Sequence, residues 1–284
     1  MERRRAYPYL LLTPAVVSTF SVLAICLVVL LLLSFAQQTY LDTQFGFFTE
    51  NYAKIWQSRL IGRLMVTSTL VAGAVTLISV ALAYPIAYFV AFDRTDNKLL
   101  WLVLFTLPCW ISYLLRIFAW KVILGYEGVI NSALISTGLT DAPIEALLYN
   151  RTSVIIALTH AWAPFAILPI YVSLEKIDRS LLRASADLGD RPFSTFLRVT
   201  LPLSMPGVIS AIILIFIPTF ADYITPQLLG GPSGVMVGNF IAMQFGSSNN
   251  WPLGAAAALA AMLVATFVVC LVIVATGRAT KSIR

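Results

Sequence analysis

Few side chains in this sequence are of the types that do chemistry, and their spacing removes most of what they could do. His160 is the single histidine. It has no histidine or cysteine at ligand spacing, so it reads as a hydrogen-bonded helix residue rather than a metal ligand. Cys26, Cys109 and Cys270 each lie within an apolar run, far from one another, and read as small core residues rather than a disulfide framework or metal site. Gly230, Gly231, Pro232 and Gly234 cluster as a phosphate loop does, but no Lys-Ser/Thr pair follows and they read as a turn. No serine stands in a Gly-x-Ser-x-Gly elbow, and no His-Glu-x-x-His helix is present. What stays is Asp222, in IPTFADYITPQLLGGP, at the end of a long apolar stretch. An ionisable group at such a depth is costly unless it faces protein or water. Its natural partner is a cation, either a mobile one or, as a structural alternative, Arg116 or Lys121. Glu127, Tyr223 and Trp120 form a second rank, because carboxylates and aromatic faces together attract an amine.

The elements that hold these residues are set by composition. Of 284 residues, 59% are hydrophobic and 11% charged, against about 25% charged in an ordinary soluble domain; the chain is a membrane protein. Apolar runs of spanning length lie near Tyr7 to Ala36, Leu64 to Phe92, Leu99 to Leu124, Val154 to Leu174, Gly207 to Leu229 and Leu253 to Thr276. The fold class expected is all-α, one polytopic domain over residues 1–284 with six transmembrane helices. The first run is too long for the apolar region of a signal peptide and reads as an uncleaved span. The first two spans have few interruptions, whereas Pro108, Pro164, Pro169 and Pro218 would kink the third, fourth and fifth.

The net charge of +6 is dispersed over loops rather than gathered on one face, which argues against nucleic acid and for membrane orientation. With six spans and the amino terminus inside, Arg3, Arg4, Arg5, Arg94, Lys98, Lys176, Arg179, Arg183, Arg191, Arg198, Arg278, Lys281 and Arg284 are cytoplasmic. The positive-inside bias thus puts both termini in the cytoplasm. Lys54, Arg59, Arg63 and Arg151 fall on the other side, with Arg116 and Lys121 near the outer end of the third span. The external segment from Gln37 to Arg63 carries Phe45, Phe47, Phe48, Tyr52 and Trp56 and is expected at the interface. Gly125 to Arg151 is expected to form a short external helix or a re-entrant turn. No internal repeat or low-complexity stretch is visible.

One cytoplasmic loop, at about 175–206, stands apart as a polar island. In LLRASADLGDRPFSTFLRVTLPLSMPG, Leu181, Ala184, Ser185 and Leu188 recur at helical spacing after a possible cap at Ser180, and Gly189 ends that helix. Asp190 can cap a second helix whose Phe193, Phe196, Leu197 and Leu201 share a face before Pro202 stops it. The small residues Ala184 and Ser185 would let a partner backbone approach closely.

This loop resembles the segment by which permease subunits of bacterial ABC importers couple to their ATPases, patterned Glu-Ala-Ala, three residues, Gly, nine residues, Ile, one residue, Leu-Pro. Aligned on Gly189, the chain supplies Arg183, Ala184, Ser185, Gly189, Val199, Leu201 and Pro202. Arg183 and Ser185 depart from the pattern; the first inverts a charge, so a partner contact of the family's Glu does not carry over. Three further stretches, Pro108 to Asn131, Pro164 to Asp178 and Asp222 to Ala258, resemble the polyamine branch of these permeases. The last, with its Leu-Gly-Gly, Gly-Asn and Trp-Pro-x-Gly-Ala-Ala groups, is the most specific.

The resemblance implies a type I importer permease in the bacterial inner membrane, acting with a second permease subunit, usually in a heterodimer, two ATPase subunits and a periplasmic binding protein. ATP and magnesium would sit on the ATPases, with no cofactor in this chain. The small-molecule cargo implied is a polyamine such as putrescine or spermidine, with an opine-like or amino-acid-derived solute as the alternative. A self-sufficient secondary transporter or channel should show coupling-ion ligands or inverted repeats, and an intramembrane enzyme a nucleophile with its base; the sequence displays none of these.

Overall fold

The computed structural model describes the backbone of residues 3–39, 42–92, 97–147 and 149–281, and side chains within 13–39, 42–92, 97–145, 147 and 149–276. The side chains of Arg3, Arg4, Arg5, Arg94, Arg278, Lys281 and Arg284, on which the orientation expectation leans, lie outside the described residues. Contacts group the chain into two units, residues 1–62 with 240–262, and residues 63–239 with 263–284.

In the first unit, α1 (Arg3–Ser34) is followed by a hairpin of β1 (Gln37–Thr39) and β2 (Asp42–Gln44) and by α2 (Glu50–Gln57). The hairpin, in register Gln37↔Gln44, is a small departure from the all-α expectation. The end of α1 leaves carbonyls without helical partners. Asn51 of α2 reaches back to take one of them, donating to Ser34 O at 3.1 Å, and also to Ala36 O just past the helix at 2.8 Å. Tyr52 bonds Ser34 Oγ at 2.7 Å, and Phe35 stacks on Phe47 at 4.5 Å. Phe45 and Trp56 are exposed. Cys26 in α1 and Cys270 near the other end of the chain are exposed as well, so the expectation of core cysteines fails for these two. An apolar side chain on a spanning helix meets lipid or a partner without cost, so burial inside the chain is not needed.

The second unit holds the core. Its helices are α3 (Arg59–Phe92, begun in the first unit), α4 (Lys98–Thr106) with a 3-10 turn to Trp110, α5 (Tyr113–Ile123), α6 (Val129–Ser136), α7 (Arg151–Glu175), α8 (Arg179–Asp187), α9 (Pro192–Thr195), α10 (Leu201–Phe220), α11 (Ile224–Leu229), α12 (Val237–Phe245) and α13 (Trp251–Lys281), the last two crossing the division. Among the described residues five helices are long and apolar enough to span, and the bent pair Lys98–Trp110 and Tyr113–Ile123, turning by 79°, makes up to six. The third span is therefore broken rather than merely kinked. Its break falls at Ile111 and Ser112, whose ψ angles of 137° and 134° are extended, three residues after Pro108.

Prolines elsewhere do not stop helices. Pro85, Pro164, Pro169, Pro206 and Pro218 all lie inside helices, as membrane helices tolerate when neighbours satisfy the freed backbone. Arg116 reaches the turn before Pro164, its Nη1 donating to the carbonyl of Ala161 at 3.0 Å. Asn150 and Ser153 form a capping box at the start of α7. Val71, Val75, Leu158, Ile170, Leu174, Ala211 and Ile215 build the centre where α3, α7 and α10 meet. Gly125 to Arg151 contains α6, the helix option of the two expected there.

Candidate functional site

The loop at about 175–206 is helix, glycine, helix, with corrected details. Its first helix is capped by Asp178, not Ser180; the Asp178 carboxylate accepts from the Ser180 N–H at 2.9 Å, which holds its carboxyl below the ordinary carboxylate range. Gly189, at φ +89°, ends α8. Its N–H reaches Ala186 O at 2.9 Å and the Asp190 N–H reaches Ser185 O at 3.1 Å, the double closure of a Schellman end.

Asp190 does not cap the second helix, which begins at Pro192 after Arg191. Instead it is a knot. One oxygen accepts from Ser185 Oγ at 2.9 Å, the other from Ser194 Oγ at 2.9 Å and Arg198 Nη1 at 3.0 Å. Ser185 also meets Thr195 Oγ1 at 3.0 Å and is buried. It therefore ties the two limbs together, and of the two small residues expected on a docking face only Ala184 is exposed, along with Arg183 and Gly189. The most exposed apolar side chains of the loop are Leu188, at 87%, and Phe193, at 72%.

The bonds to Ser194, Ser185 and Arg198 pull the Asp190 carboxyl below its ordinary value of 3.8. A depressed carboxylate contributes stability that is complete above the unfolded value and is lost as pH falls through the folded one. Asp190→Ala should thus raise the rate of limited proteolysis between residues 188 and 198 several-fold at neutral pH. The wild-type loop should keep its protection to below pH 3.8, and equal cleavage of both proteins at pH 7 would count against the knot.

Pro202 does not stop the second helix. Phe196 to Thr200 forms a π turn in which the Leu201 N–H bonds Phe196 O, and Pro192 to Phe220 runs on as one span. Val199, Leu201 and Pro202 sit half-buried in this run. Phe196 is held edge-on by Tyr84 at 5.6 Å and Tyr88 at 6.2 Å, and Tyr84 bonds Ser204 at 2.8 Å. The exposed half of the sequence pattern is on the loop; the other half roots the loop in the membrane.

At the far end of that span the chain breaks at Ala221 and resumes in α11, so the fifth span ends at Phe220 rather than Leu229. Asp222 lies in the break. Its Oδ1 accepts from the Ile224 N–H at 3.1 Å and its Oδ2 from the Tyr113 hydroxyl at 2.8 Å. Among the described residues the ion pairs are Lys98–Glu175 at 3.5 Å and Arg198–Asp190 at 3.0 Å. Pairing of Asp222 with Arg116 or Lys121, the structural alternative, is not the arrangement found.

The Gly-Asn pair of the most specific stretch supports this break. Asn239 Nδ2 donates to Tyr223 O at 2.7 Å. A Cβ on Gly238 would stand 2.6 Å from the carbonyls of both Ala221 and Asp222, so only glycine fits there. Tyr223 is 44% exposed. Trp120 instead meets His160 edge-on at 5.4 Å, a ring contact where a hydrogen bond to the histidine was expected, and Glu127 is exposed. No hydrogen bond, ion pair or ring contact among the described residues joins either to Asp222. Tyr113 and Thr225 were missed by sequence reasoning, since a tyrosine and a threonine in apolar runs give no spacing signal.

A groove of about 840 Å³ runs beside α7 and α10, walled by Phe165, Leu168 and Leu214 and reaching Lys176, Asp178 and Leu181 next to the loop. Asp222 is not among its lining residues. Among the described residues no three His, Cys, Asp or Glu side chains gather as metal ligands.

A family model described as binding-protein-dependent transport system inner membrane component matches residues 43–280. The chain is 38% identical over 210 residues, 74% of its length and 73% of the relative's, to a spermidine/putrescine transport system permease protein PotB from Haemophilus influenzae. Its similarity to the protein of that name from Escherichia coli is 34% over 220 residues, 77% of this chain and 78% of the relative. It is also 36% identical over 204 residues, 68% of this chain and 65% of the relative, to the inner membrane ABC transporter permease protein YdcU of Escherichia coli. Two solved structures of bacterial alginate ABC transporters share the fold. One matches with TM-score 0.73, 16% identity and coverage of 98% of this chain and 97% of that one. The other, in complex with an alginate pentasaccharide-bound periplasmic protein, matches with TM-score 0.78, 17% identity and coverage of 99% and 97%.

Proposed function

This chain belongs to the family of binding-protein-dependent transport system inner membrane components, and from that premise we propose that the solute it passes is a polyamine and that Asp222 is the group on its path that meets the cargo's charge. It is a multi-pass permease of an ATP-driven importer. The observation that carries the proposal is the state of Asp222: a carboxylate at a helix break, held by a hydroxyl and one amide and engaged in no ion pair among the described residues. An ionised carboxylate offers about four acceptor positions. Two are used, which leaves room for an ammonium group. The named relatives that carry spermidine and putrescine support the same cargo.

The rest of the machine follows from the same reading. The loop with Arg183, Ala184 and Gly189, and the exposed Leu188 and Phe193, docks an ATPase on the cytoplasmic side, where both termini lie. Val199, Leu201 and Pro202 carry its motion into α10. Two ATPases hold ATP and magnesium, a periplasmic binding protein delivers the cargo, and a second permease supplies the opposite wall of the path. Cargo choice rests largely with the binding protein, while Asp222, with Tyr223 beside it and Trp120 and Glu127 as weaker candidates, gives a shallow site.

Purification of the chain from its native membrane tests the assembly: an ATPase should copurify in stoichiometric amount, and polyamine uptake in vesicles should require ATP and the binding protein. Ion-driven uptake by this chain alone would overturn the reading. Arg183→Glu is the companion experiment. Arg183 is exposed with no partner carboxylate in an ion pair among the described residues, so an ATPase adapted to a positive charge should lose roughly tenfold in association. Unchanged association would mean that the side chain is merely solvated.

A further inference from the structure

We infer that Tyr113 is the positioning residue for the Asp222 carboxylate, tying the break in the third span to the break after the fifth. The inference rests on the reading of Asp222 as a pathway group and adds the residue that sets where the charge stands.

Tyr113 is the first residue of α5, placed by the 79° turn at Ile111 and Ser112. Without that turn the third span would continue as one helix and the phenol would point elsewhere. Its ring is fixed by Trp162, centroids 6.3 Å apart, and lies 6.0 Å from the Arg116 guanidinium carbon. Its hydroxyl reaches two groups, Asp222 Oδ2 at 2.8 Å and Thr225 Oγ1 at 2.6 Å. A phenol has one proton. The ionised carboxylate can only accept, so the proton goes to Asp222 and Thr225 donates its own to the Tyr113 oxygen. The order is Thr225 to Tyr113 to Asp222, and Thr225 is fully buried. Such a chain polarises the last bond, which is also charge-assisted.

The remaining tie on Asp222 is the Ile224 N–H, two residues away in its own loop. That bond fixes the carboxylate relative to the loop but not relative to the third span. Among the described residues Tyr113 alone supplies the second reference. Arg116 is buried, its Nε has no partner, and its charge is balanced by no carboxylate within ion-pair distance among the described residues. A carboxylate released from Tyr113 keeps only its tie within the loop, so its charge no longer stands at a fixed place for an incoming ammonium.

Tyr113→Phe keeps the ring and removes only the bond. The test uses the assembled importer, with both permeases, ATPases and binding protein, in vesicles, and reads uptake per assembled complex. Radiolabelled spermidine, with three ammonium groups, and putrescine, with two, are the probes. Spermidine uptake should fall about tenfold, the scale of one charge-assisted hydrogen bond, and putrescine uptake by less. In an Asp222→Asn background, Tyr113→Phe should add nothing further.

Full uptake by Tyr113→Phe alongside slow uptake by Asp222→Asn would overturn the positioning role and leave the pathway reading standing. Equal losses for both probes that add to those of Asp222→Asn would make Tyr113 a packing residue and overturn the inference too. Normal uptake by both variants would remove the pathway reading itself. Should Tyr113→Phe fail to assemble, Thr225→Val removes the donor behind the phenol. A smaller loss with the same preference for spermidine supports the relay, and unchanged uptake refutes it.

Discussion

Gly189→Leu is expected to lose transport altogether while the chain still inserts in the membrane. The backbone at Gly189 has φ +89°, where an L side chain is strained by about 1–3 kcal/mol. Space is not the obstacle, because a Cβ there meets nothing within 4 Å. Relief comes only by moving φ, and that breaks the two bonds that close α8. Ser185 then leaves Asp190, and the knot that holds Leu188 and Phe193 in one surface comes apart. The spans, whose apolar length decides insertion, are untouched. Association with the ATPase, measured by copurification from solubilised membranes, should fall by at least roughly tenfold, with uptake following. Gly189→Asn, which tolerates positive φ better, should retain most of both. If Gly189→Leu kept full association and substrate-dependent ATP hydrolysis, the loop would not be the docking site.

Asp222→Asn is expected to slow polyamine uptake by about tenfold or more while the complex assembles. A charge at the bilayer centre costs about 2.5–3.5 kcal/mol even on the mildest scale, and a cargo with several charges cannot cross ~30 Å of hydrocarbon uncompensated. One carboxylate lowers that barrier without creating a well too deep to leave. Asparagine keeps the shape and the acceptor for Ile224 but gives up the charge. If Asp222 were structural, the same change would reduce assembly, and uptake per assembled complex would be normal. Vesicles loaded with ATP and supplied with purified binding protein separate the two. An anionic cargo on that binding protein would remove the reason for the carboxylate.

The spans were legible because a long apolar run has one cheap solution in lipid, and the family because Gly189, Leu201 and Pro202 keep their spacing. The breaks were not. Pro108 signals an interruption, yet five other prolines stay inside helices, and only packing decides which gives way. Ser180 and Asp190 looked like caps because both are capping residue types; Asp178 was closer to the helix start, and Asp190 had three better donors. Ser185 looked like a docking surface because it is small, whereas its hydroxyl turned it inward. Asp222 was found from its charge alone, while Tyr113, over a hundred residues away, is brought to it by a bend no local pattern announces.

The π turn at Phe196 to Thr200 governs how the loop before it is aimed. Such a turn holds one residue more than an α turn would. Each residue of an α-helix advances about 1.5 Å and rotates about 100°. Deleting a single residue from Phe196–Thr200 would restore an α ladder with the segments on either side kept on nearly the same bearing, whereas deleting one from the α-helical run of α10 would swing Pro192 and everything before it by about that angle. The turn thus takes up one residue of chain length without moving Leu188 and Phe193 off their compass bearing, at a joint clasped by Tyr84 and Tyr88 from α3.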